Sequence, residues 1–312
     1  MIRPKYDTLW KGVLEEVMKD LLLFVDPNVE KELDLERGFQ FLDKELTELC
    51  PEPEKPAHTR VVDKLVKVFL RNGSERWMLL HIEVQGKSSK EFPLRMFEYF
   101  ARLFIKYRQP VAAIAVLTGK VSNKRQGVFE ERYLWSHTLY EYKTMCIADY
   151  SDEELLASMN PFAAVVMVAK QVLLNAKGTE KERDNILFEQ KISMVKLLKE
   201  RMAVFGEKKT RAIMVFLNNY VVFNTSEINR KFTTRTDEIF QIKNTMGIFE
   251  QLAEIKHQEG LQQGVQQGIR EGLEQAVKSM LSNTKFSPKE IAEMVGVPLS
   301  MVRKLKSELT KK

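Results

Sequence analysis

The sequence predicts an α/β core that is followed by a helical region and a small C-terminal helix-turn-helix. Two apolar segments between Arg60 and Gln85, separated by the letters RNGSE, are typical of a β-hairpin, and QPVAAIAVLT at 109–118 is typical of a buried strand. Beyond about residue 150, strand-like patterns largely give way to helical ones. Because 312 residues exceed one average domain, we expect more than one structural unit.

Apolar periodicity predicts the remaining elements in order. Residues 6–24 are predicted to be helical, as is the segment LRMFEYFARLFIKY after Pro93. Further helices are expected at 152–158, 161–175, 182–204 and 207–222. The segment NNYVVFN near 218–224 has strand-like residues and leaves that boundary open. The chain is thus expected to divide into a core at 1–150, a helical domain at 151–245, a glycine-repeat linker or oligomerisation segment at 246–275, and a basic tail at 276–312.

The predicted hairpin contains two carboxylates that its apolar character does not explain. Asp63 lies in the first strand, and Glu83 and Gln85 lie near the end of the second. Carboxylates are unfavourable in strands, and more so in buried ones. A three-residue loop from Asn72 to Ser74 would place Asp63 directly opposite Glu83. A two-residue turn would shift the pairing by one residue and put the two acids on opposite faces.

A divalent cation would explain two opposed carboxylates, because like charges at directly paired positions repel. Mg²⁺, with Mn²⁺ as a substitute, takes oxygen ligands, here the carboxylates of Asp63 and Glu83 and the backbone carbonyl of Val84. Such an ion polarises a phosphate and lowers the pKa of an attacking water. Gln85 is a neutral amide that would orient this water without supplying positive charge. The chemistry expected of this hairpin is therefore metal-dependent phosphodiester hydrolysis.

The same residues carry a family resemblance. Asp63 followed by Glu83-Val84-Gln85 resembles the D…(D/E)-x-K signature of the PD-(D/E)XK nuclease superfamily, in the variant with Gln in place of Lys. Longer phrases are similar to those of bacterial recombination-promoting nucleases and transposase-like proteins: KYDTLWK, RVVDKLVKV, LLHIEVQ, FPLRMFEYFARL and NPFAAVVMVAK. The resemblance covers most of the chain. It implies a restriction-endonuclease-like central mixed sheet flanked by helices, Mg²⁺-dependent DNA cleavage and a role in DNA recombination or mobility.

Three other interpretations of these patterns stay open. Asp63 and Glu83 could be solvent-facing strand residues paired with Lys64, Lys67 or Arg76. The Gln in place of Lys could mark a DNA-binding protein whose nuclease core has decayed. The chain could also be an interaction or scaffold protein that assembles through its glycine repeat.

Neighbouring helices offer further candidate site residues. Nucleases of the resembled superfamily often draw an additional acid from the first helix, although the i, i+4 spacing of these acids favours an ordinary surface ladder of ion pairs. In the helix after Pro93, Arg95 and Arg102 lie on one side and are candidates for binding phosphate. The candidate acids of the first helix are Asp7, Glu15 and Glu16.

The basic charge is concentrated at the C-terminus. Residues 276–312 contain eight Lys or Arg and three Glu, so they carry +5 of the total net charge of +6. A positive segment of this kind attracts the phosphates of DNA, although a solvated basic terminus has the same composition.

The tail also has the spacing of a helix-turn-helix. Ser287 is placed to cap a helix that starts at Pro288, and Glu290 completes a capping box. Gly296 ends this helix, and a second helix begins at Leu299 or Ser300. Since the start of the second helix meets DNA in such motifs, the candidates for DNA contact are Ser300, Arg303 and Lys304, with Lys289 for the backbone. A helical hairpin that packs on protein is the alternative.

A glycine repeat separates the core from the tail. In residues 259–275, Gly260, Gly264, Gly268 and Gly272 are each followed by an apolar residue. A spacing of four keeps small and apolar residues on a slowly drifting helical stripe, which favours self-association as a homo-oligomer. Because glycines destabilise an isolated helix by roughly 1 kcal/mol each, a polar tether is the alternative.

Composition and targeting signals predict a cytoplasmic protein, associated with the nucleoid when it is bound to DNA. Apolar stretches such as LLLF at 21–24 are too short to span a bilayer, so no membrane partner is expected. The N-terminus has no cationic stretch followed by an apolar signal core. Cys50 and Cys146 do not have metal-ligand spacing and suggest a reducing compartment.

Overall fold

The computed structural model describes most of the chain, with gaps. The described residues are 6–42, 46, 49, 61–71, 77–85, 91–118, 127–173, 179–241, 268, 272–284 and 286–309. Within these ranges, the side chains of residues 6–7, 61–63, 77–85, 173 and 308–309 lie outside the description. The chain forms two compact units, residues 1–248 and 249–312.

The first unit is a mixed α/β structure in which helices predominate. Its strands are β1 (Gln40–Phe41), β2 (Val61–Phe69), β3 (Trp77–Gln85), β4 (Val111–Leu117), β5 (Val128–Tyr133), β6 (Ser136–Glu141) and β7 (Lys143–Cys146). Its helices are α1 (Tyr6–Glu16), α2 (Met18–Val25), α3 (Phe92–Tyr107), α4 (Asp152–Ala157), α5 (Pro161–Leu173), α6 (Glu180–Glu200), α7 (Met202–Phe205), α8 (Glu207–Tyr220) and α9 (Ser226–Phe240). None of the helices in the described ranges combines the length and the apolar character needed to cross a bilayer.

Among the described residues, the larger sheet has five strands in the order β1-β2-β3-β4-β7. β2 is antiparallel to both of its neighbours, β1 and β3, whereas β3, β4 and β7 are parallel. Helix α3 makes the crossover from β3 to its parallel neighbour β4. The predicted β2–β3 hairpin, the helix after Pro93 and the strand within 109–118 are thus confirmed.

Helix α3 covers one face of this sheet. Its apolar residues recur at intervals of three to four, so they form a stripe along one side of the helix. The N-terminal part of the stripe packs on the alanines of β4, and the C-terminal part packs around Leu65 of β2. The buried members of the stripe are Phe92, Met96, Tyr99 and Leu103.

The helical region beyond residue 150 belongs to the same compact unit as the sheet. Trp10 of α1 lies edge-on to Phe216 and Tyr220 of α8, with ring centroids 5.0 and 5.9 Å apart. The apolar faces of the later helices are therefore partly buried against the N-terminal helices. This packing differs from the expected division at 150/151, because the helices do not form a core solely among themselves.

Several elements of the first unit were not predicted from the sequence. The β5–β6 hairpin, strand β7 and helix α9 all fall where no element was expected. The segment at 218–224, whose assignment was left open, lies at the end of α8 and in the loop that follows. Three of its four apolar residues are buried there, which explains their strand-like composition without a strand.

A buried lysine holds this loop in place. The Lys191 side chain is 0% exposed, and its Nζ donates a hydrogen bond to the carbonyl oxygen of Val221 at 2.8 Å. The same atom lies 4.6 and 4.1 Å from the ring centroids of Phe223 and Phe232. Burial lowers the pKa of Lys191 from its ordinary value to about 7.

This lysine is expected to make folding stability rise with pH. Between pH 7 and the ordinary lysine pKa, the unfolded chain binds the proton more tightly than the folded chain, so the free energy of unfolding increases by up to about 1 kcal/mol per pH unit. Below pH 7 the lysine is protonated in both states, and the full free-energy cost of burying its charge is present. Urea unfolding of Lys191→Met should lack this slope, whereas the exposed control Lys196→Met in the same helix should retain it. An unchanged slope in Lys191→Met would contradict the assignment.

The second unit contains a small helical core. A helix at 272–283 is followed by α11 (Pro288–Val295) and α12 (Leu299–Leu309), and we refer to the first of these as α10. Ser287 and Glu290 form the predicted capping box, and Gly296 ends α11 with φ of 73°. The residues buried in this core are Val277, Ile291, Ala292, Val297, Val302 and Leu305. The expected boundary at 275/276 falls inside α10, which spans 272–283. Leu273, on the linker side of that boundary, packs on the same core.

Candidate functional site

The backbone pairing of β2 and β3 brings the two predicted acidic positions together. Asp63 is the direct partner of Glu83, and Val61 is the direct partner of Gln85. This is the register predicted for a three-residue loop, and it excludes the shift by one residue that a two-residue turn would give. The loop residues themselves lie outside the described residues. Directly paired positions of antiparallel strands have Cβ atoms about 4.5–5.5 Å apart, so two oxygen donors there suit a hard cation.

The register of β4 identifies the sheet face on which these positions lie. Ala115 is the neighbour of Glu83, and Leu117 is the neighbour of Gln85. Neighbouring residues of paired strands share a face, and both β4 residues are buried in a cluster with Phe92 of α3. The positions of Asp63, Glu83 and Gln85 therefore lie on the face that α3 covers. The side chains of these three residues lie outside the described residues.

Lys64 lies on the opposite face, because successive strand residues alternate. Its side chain is 0% exposed, and its Nζ lies 2.8 Å from Oε1 of Glu15 in α1 and 4.3 Å from the ring centroid of Phe41. Lys64 is thus held by α1 and β1 on the far side of the sheet. Lys64 was one of the cations considered as simple surface partners of Asp63, and it is paired with Glu15 instead.

The same contact places one candidate acid of the first helix. Glu15 meets the sheet at Lys64, on the face opposite the one that carries the position of Asp63. Glu16 forms an ion pair with Lys208 of α8 at 3.0 Å. Both carboxylates therefore link α1 to neighbouring elements. The side chain of Asp7, the third candidate, lies outside the described residues.

The two candidate phosphate ligands differ in their surroundings. Arg95 is partly buried on α3, and its guanidinium carbon lies 5.4 Å from the ring centroid of Phe92. Arg102 is exposed, and its Nη1 donates a hydrogen bond to the carbonyl oxygen of Leu49 at 3.3 Å. Phe92 belongs to the cluster on Ala115 and Leu117, so Arg95 lies at the end of α3 nearer the acidic pair. Arg102 lies near the Leu65 end.

The described side chains do not by themselves form a metal centre. Among them, no group of three or more His, Cys, Asp or Glu is arranged to hold a metal ion. Asp63 and Glu83 are not part of that set, since only their backbone is described. The register of these two residues bears on metal binding, because their carboxylates and the carbonyl of Val84, the residue after Glu83, are oxygen donors of the kind that Mg²⁺ and Mn²⁺ accept.

The predicted DNA-contacting residues lie on the surface of the second unit. Ser300, Arg303 and Lys304 are exposed on α12, and Lys289 is exposed on α11. Val302 and Leu305, on the other side of α12, are buried in the core. The second helix therefore has an apolar face toward the core and a basic face toward solvent.

The predicted self-association segment lies mostly outside the described residues. Of residues 259–275, the structure describes 268 and 272–275. The last of these belong to α10, in which Leu273 packs on the core of the second unit. The interpretation of the repeat as an oligomer contact therefore stays a prediction.

Sequence reasoning missed two features that surround the site. One is the Glu15–Lys64 contact, for which a lysine inside an apolar strand was the available signal. The other is the β5–β6 hairpin, whose tip exposes the aromatic residues Tyr133 and Trp135. No protein-family model, curated protein or solved structure matches this chain.

Proposed function

We propose that this protein is a Mg²⁺-dependent DNA endonuclease that hydrolyses phosphodiester bonds and promotes DNA recombination or mobility, as the resembled transposase-like nucleases are expected to do. The observation that carries the proposal is the direct pairing of Asp63 with Glu83. Because opposed carboxylates repel, this arrangement favours a divalent cation between them.

The roles of the residues follow from their positions. Asp63, Glu83 and the Val84 carbonyl would hold Mg²⁺, for which Mn²⁺ can substitute. When bound, the ion supplies charge that stabilises the phosphate and lowers the pKa of a water. Gln85, two residues after Glu83 and on the same face, orients the attacking water through its amide. Arg95 of α3 steadies the phosphate.

The fold and the tail support the same proposal. A mixed sheet with a helix crossing between parallel strands fits the restriction-endonuclease-like core that the family resemblance implies. The α11–α12 pair, with exposed basic residues on its second helix, fits a DNA-binding helix-turn-helix. In this proposal, the protein acts in the cytoplasm and associates with the nucleoid when it is bound to DNA.

A second candidate function rests on Gln85. A glutamine cannot provide the positive charge of the lysine in the family signature. This substitution favours a DNA-binding protein with a catalytically decayed core, in which the basic tail still binds DNA and the hairpin has no chemical role.

Cleavage of supercoiled plasmid distinguishes the two functions. With Mg²⁺ or Mn²⁺, wild type is expected to nick or linearise the plasmid, and EDTA is expected to abolish this. Asp63→Asn should lower the rate at least about 100-fold, since it removes a charge from the reacting centre. Glu141→Gln, an exposed strand acid in β6, is the matched control and should cleave normally.

Either of two results would contradict the nuclease proposal. Plasmid that is bound but not cleaved by wild type would favour the decayed core. Equal cleavage by Asp63→Asn and wild type would place the activity away from the hairpin, or in a contaminant.

A further inference from the structure

Strand β6 lies at the edge of a small sheet and exposes a large apolar side chain. Within the part of the chain that the structure describes, β6 pairs with β5 alone, and the two strands form a sheet of their own. Leu139, in the middle of β6, is 53% exposed. A two-stranded hairpin is marginally stable by itself, and an exposed apolar edge is a place where another strand can add. The edge of β6 is therefore a candidate interaction surface.

The backbone hydrogen bonds show which residues of β6 face away from β5. In an antiparallel pair of strands, residues alternate between those that exchange hydrogen bonds with the neighbour and those whose N–H and C=O groups point outward. The N–H of Tyr142 donates to the carbonyl oxygen of Gly127 at 3.0 Å, at the position that continues the β5–β6 pairing. Steps of two back along the chain make residues 140, 138 and 136 face β5. The residues of β6 whose backbone groups point outward are His137, Leu139 and Glu141.

The hairpin is held in place by aromatic packing on α3. The ring of Phe129 stacks on Phe97 with centroids 4.7 Å apart, and the ring of Tyr140 stacks on Phe100 at 4.6 Å. Because successive strand residues alternate between the two faces, Leu139 points away from α3. The edge of β6 is therefore presented on a firm support, with its exposed leucine on the face that α3 does not cover.

We propose that β6 pairs antiparallel with β6 of a second copy of this chain, centred on Leu139. Such a pair has a two-fold axis, so each residue contacts the same surface that contacts it. Leu139 then lies opposite Leu139 of the second copy, and His137 lies opposite Glu141. All three are outward-facing residues, so their backbone N–H and C=O groups are positioned to form hydrogen bonds between the copies.

The partner is a second copy because this edge is complementary to itself. In the proposed register, an apolar residue meets an apolar residue at the axis, and His137 meets Glu141 on each side, so no like charges are directly opposed. The other edge of the hairpin lacks this property. If β5 paired with its own copy around Glu130, Glu131 or Arg132, identical charges would face each other at the axis.

The acids of the hairpin affect the choice of partner but do not oppose this one. Residues 128–141 contain three Glu and one Arg, which disfavours a nucleic-acid partner. In the proposed dimer, the two β5 strands are three strand spacings apart, about 14 Å, which exceeds the Debye length of about 10 Å at 0.1 M salt. The glutamates of the two β5 strands therefore repel each other only weakly.

The expected dimer is weak, because a single strand pair buries a small area. The exposed His137–Glu141 pairs contribute little, so backbone hydrogen bonds and the two leucines supply most of the affinity. Sedimentation velocity of full-length protein at up to about 100 μM is suited to interfaces of this size. Wild type is expected to show a dimer that increases with concentration. Leu139→Lys should weaken it at least about 10-fold, since two lysines would then face each other at the axis.

The matched control is Leu156→Lys, which adds the same charge at an exposed leucine of α4 and should dimerise as wild type does. A wild type that stays monomeric would overturn the proposal. So would a dimer that is equally stable in Leu139→Lys, since self-association would then lie elsewhere, as in the glycine repeat. These measurements involve neither DNA nor metal, so the inference does not rest on the proposed function.

Disulfide cross-linking tests the register. In a Cys50→Ser background, Leu139→Cys should form a disulfide between copies on mild oxidation, because directly paired residues have Cα atoms about 5.5 Å apart, within disulfide range. Thr138→Cys should cross-link far less, since Thr138 lies opposite Tyr140 of the second copy and not opposite itself. Preferential cross-linking through Thr138→Cys would overturn the register centred on Leu139.

Discussion

Asp63→Asn is expected to stabilise the protein in EDTA and to remove the stabilisation that Mg²⁺ gives to wild type. Without metal, Asp63 and Glu83 are opposed like charges, and their repulsion costs about 0.2–1 kcal/mol. With Mg²⁺ at a hundred times its dissociation constant, binding stabilises the folded state by about 2.7 kcal/mol. The substitution relieves the repulsion and also removes a ligand. The two effects therefore have opposite signs in the two buffers.

Thermal unfolding in EDTA and in Mg²⁺ measures both effects. Glu83→Gln should behave like Asp63→Asn, since neutralising either carboxylate removes the repulsion between them. Glu141→Gln, the exposed control, should respond to Mg²⁺ as wild type does. If Asp63→Asn destabilises the protein in EDTA and Mg²⁺ stabilises all variants equally, the two carboxylates are ordinary surface partners of nearby cations.

Reversing two charges on α12 is expected to cause the largest loss of DNA binding. Arg303 and Lys304 are adjacent and exposed, whereas Val302 and Leu305 beside them are buried. Each phosphate contact contributes roughly one unit to the slope of log affinity against log salt. Arg303→Glu/Lys304→Glu should therefore weaken binding to duplex DNA at least about 100-fold at low salt and reduce that slope by about two.

The matched control is Lys181→Glu/Lys196→Glu, which reverses two exposed lysines of α6 in the other unit. The control has the same change in net charge, so an equal loss of affinity in both variants would mean that only the total charge matters. Affinity that stays at the wild-type level in the Arg303/Lys304 variant would favour the protein-packing interpretation of this helix pair. Fluorescence anisotropy across a salt series separates these results.

Local patterns predicted the elements nearest the candidate site. The Asn-Gly-Ser segment left a three-residue loop and a two-residue turn open, and the three-residue loop gives the pairing of Asp63 with Glu83 that the structure has. The cap at Ser287 and the stop at Gly296 were equally local, since both depend on residues within one helical turn. Such features depend on residues that are close together in the chain, so they can be predicted from a single sequence.

Packing between residues far apart in the chain was harder to predict from the sequence. Trp10 packs on Phe216 and Tyr220, about two hundred residues away, and no local pattern indicates that partner. Helix α10 was partly assigned to a linker because glycines dominate the segment before it, whereas Leu273 and Val277 give it a buried stripe. Tertiary burial overrides helix propensity in such cases.

The register of the candidate site was narrowed to two alternatives from the sequence, and its surroundings were predicted only in part. The pairing of Asp63 with Glu83 follows from the length of the loop, because the residue numbers of paired positions in an antiparallel hairpin have a constant sum. The buried Lys64–Glu15 contact could not, because it depends on which face of β2 the first helix covers. That contact links Glu15 to the opposite face, which leaves Asp63 and Glu83 as the acids that the register brings together.

The central claim is that Asp63 and Glu83 bind one metal ion between them. Calorimetric titration of Mn²⁺ into wild type, Asp63→Asn, Glu83→Gln and the double variant tests it most directly. We expect one site in wild type, a large loss of affinity in each single variant and little further loss in the double variant, since both remove the same site. Mn²⁺ affinity that is unchanged in both single variants would contradict the claim.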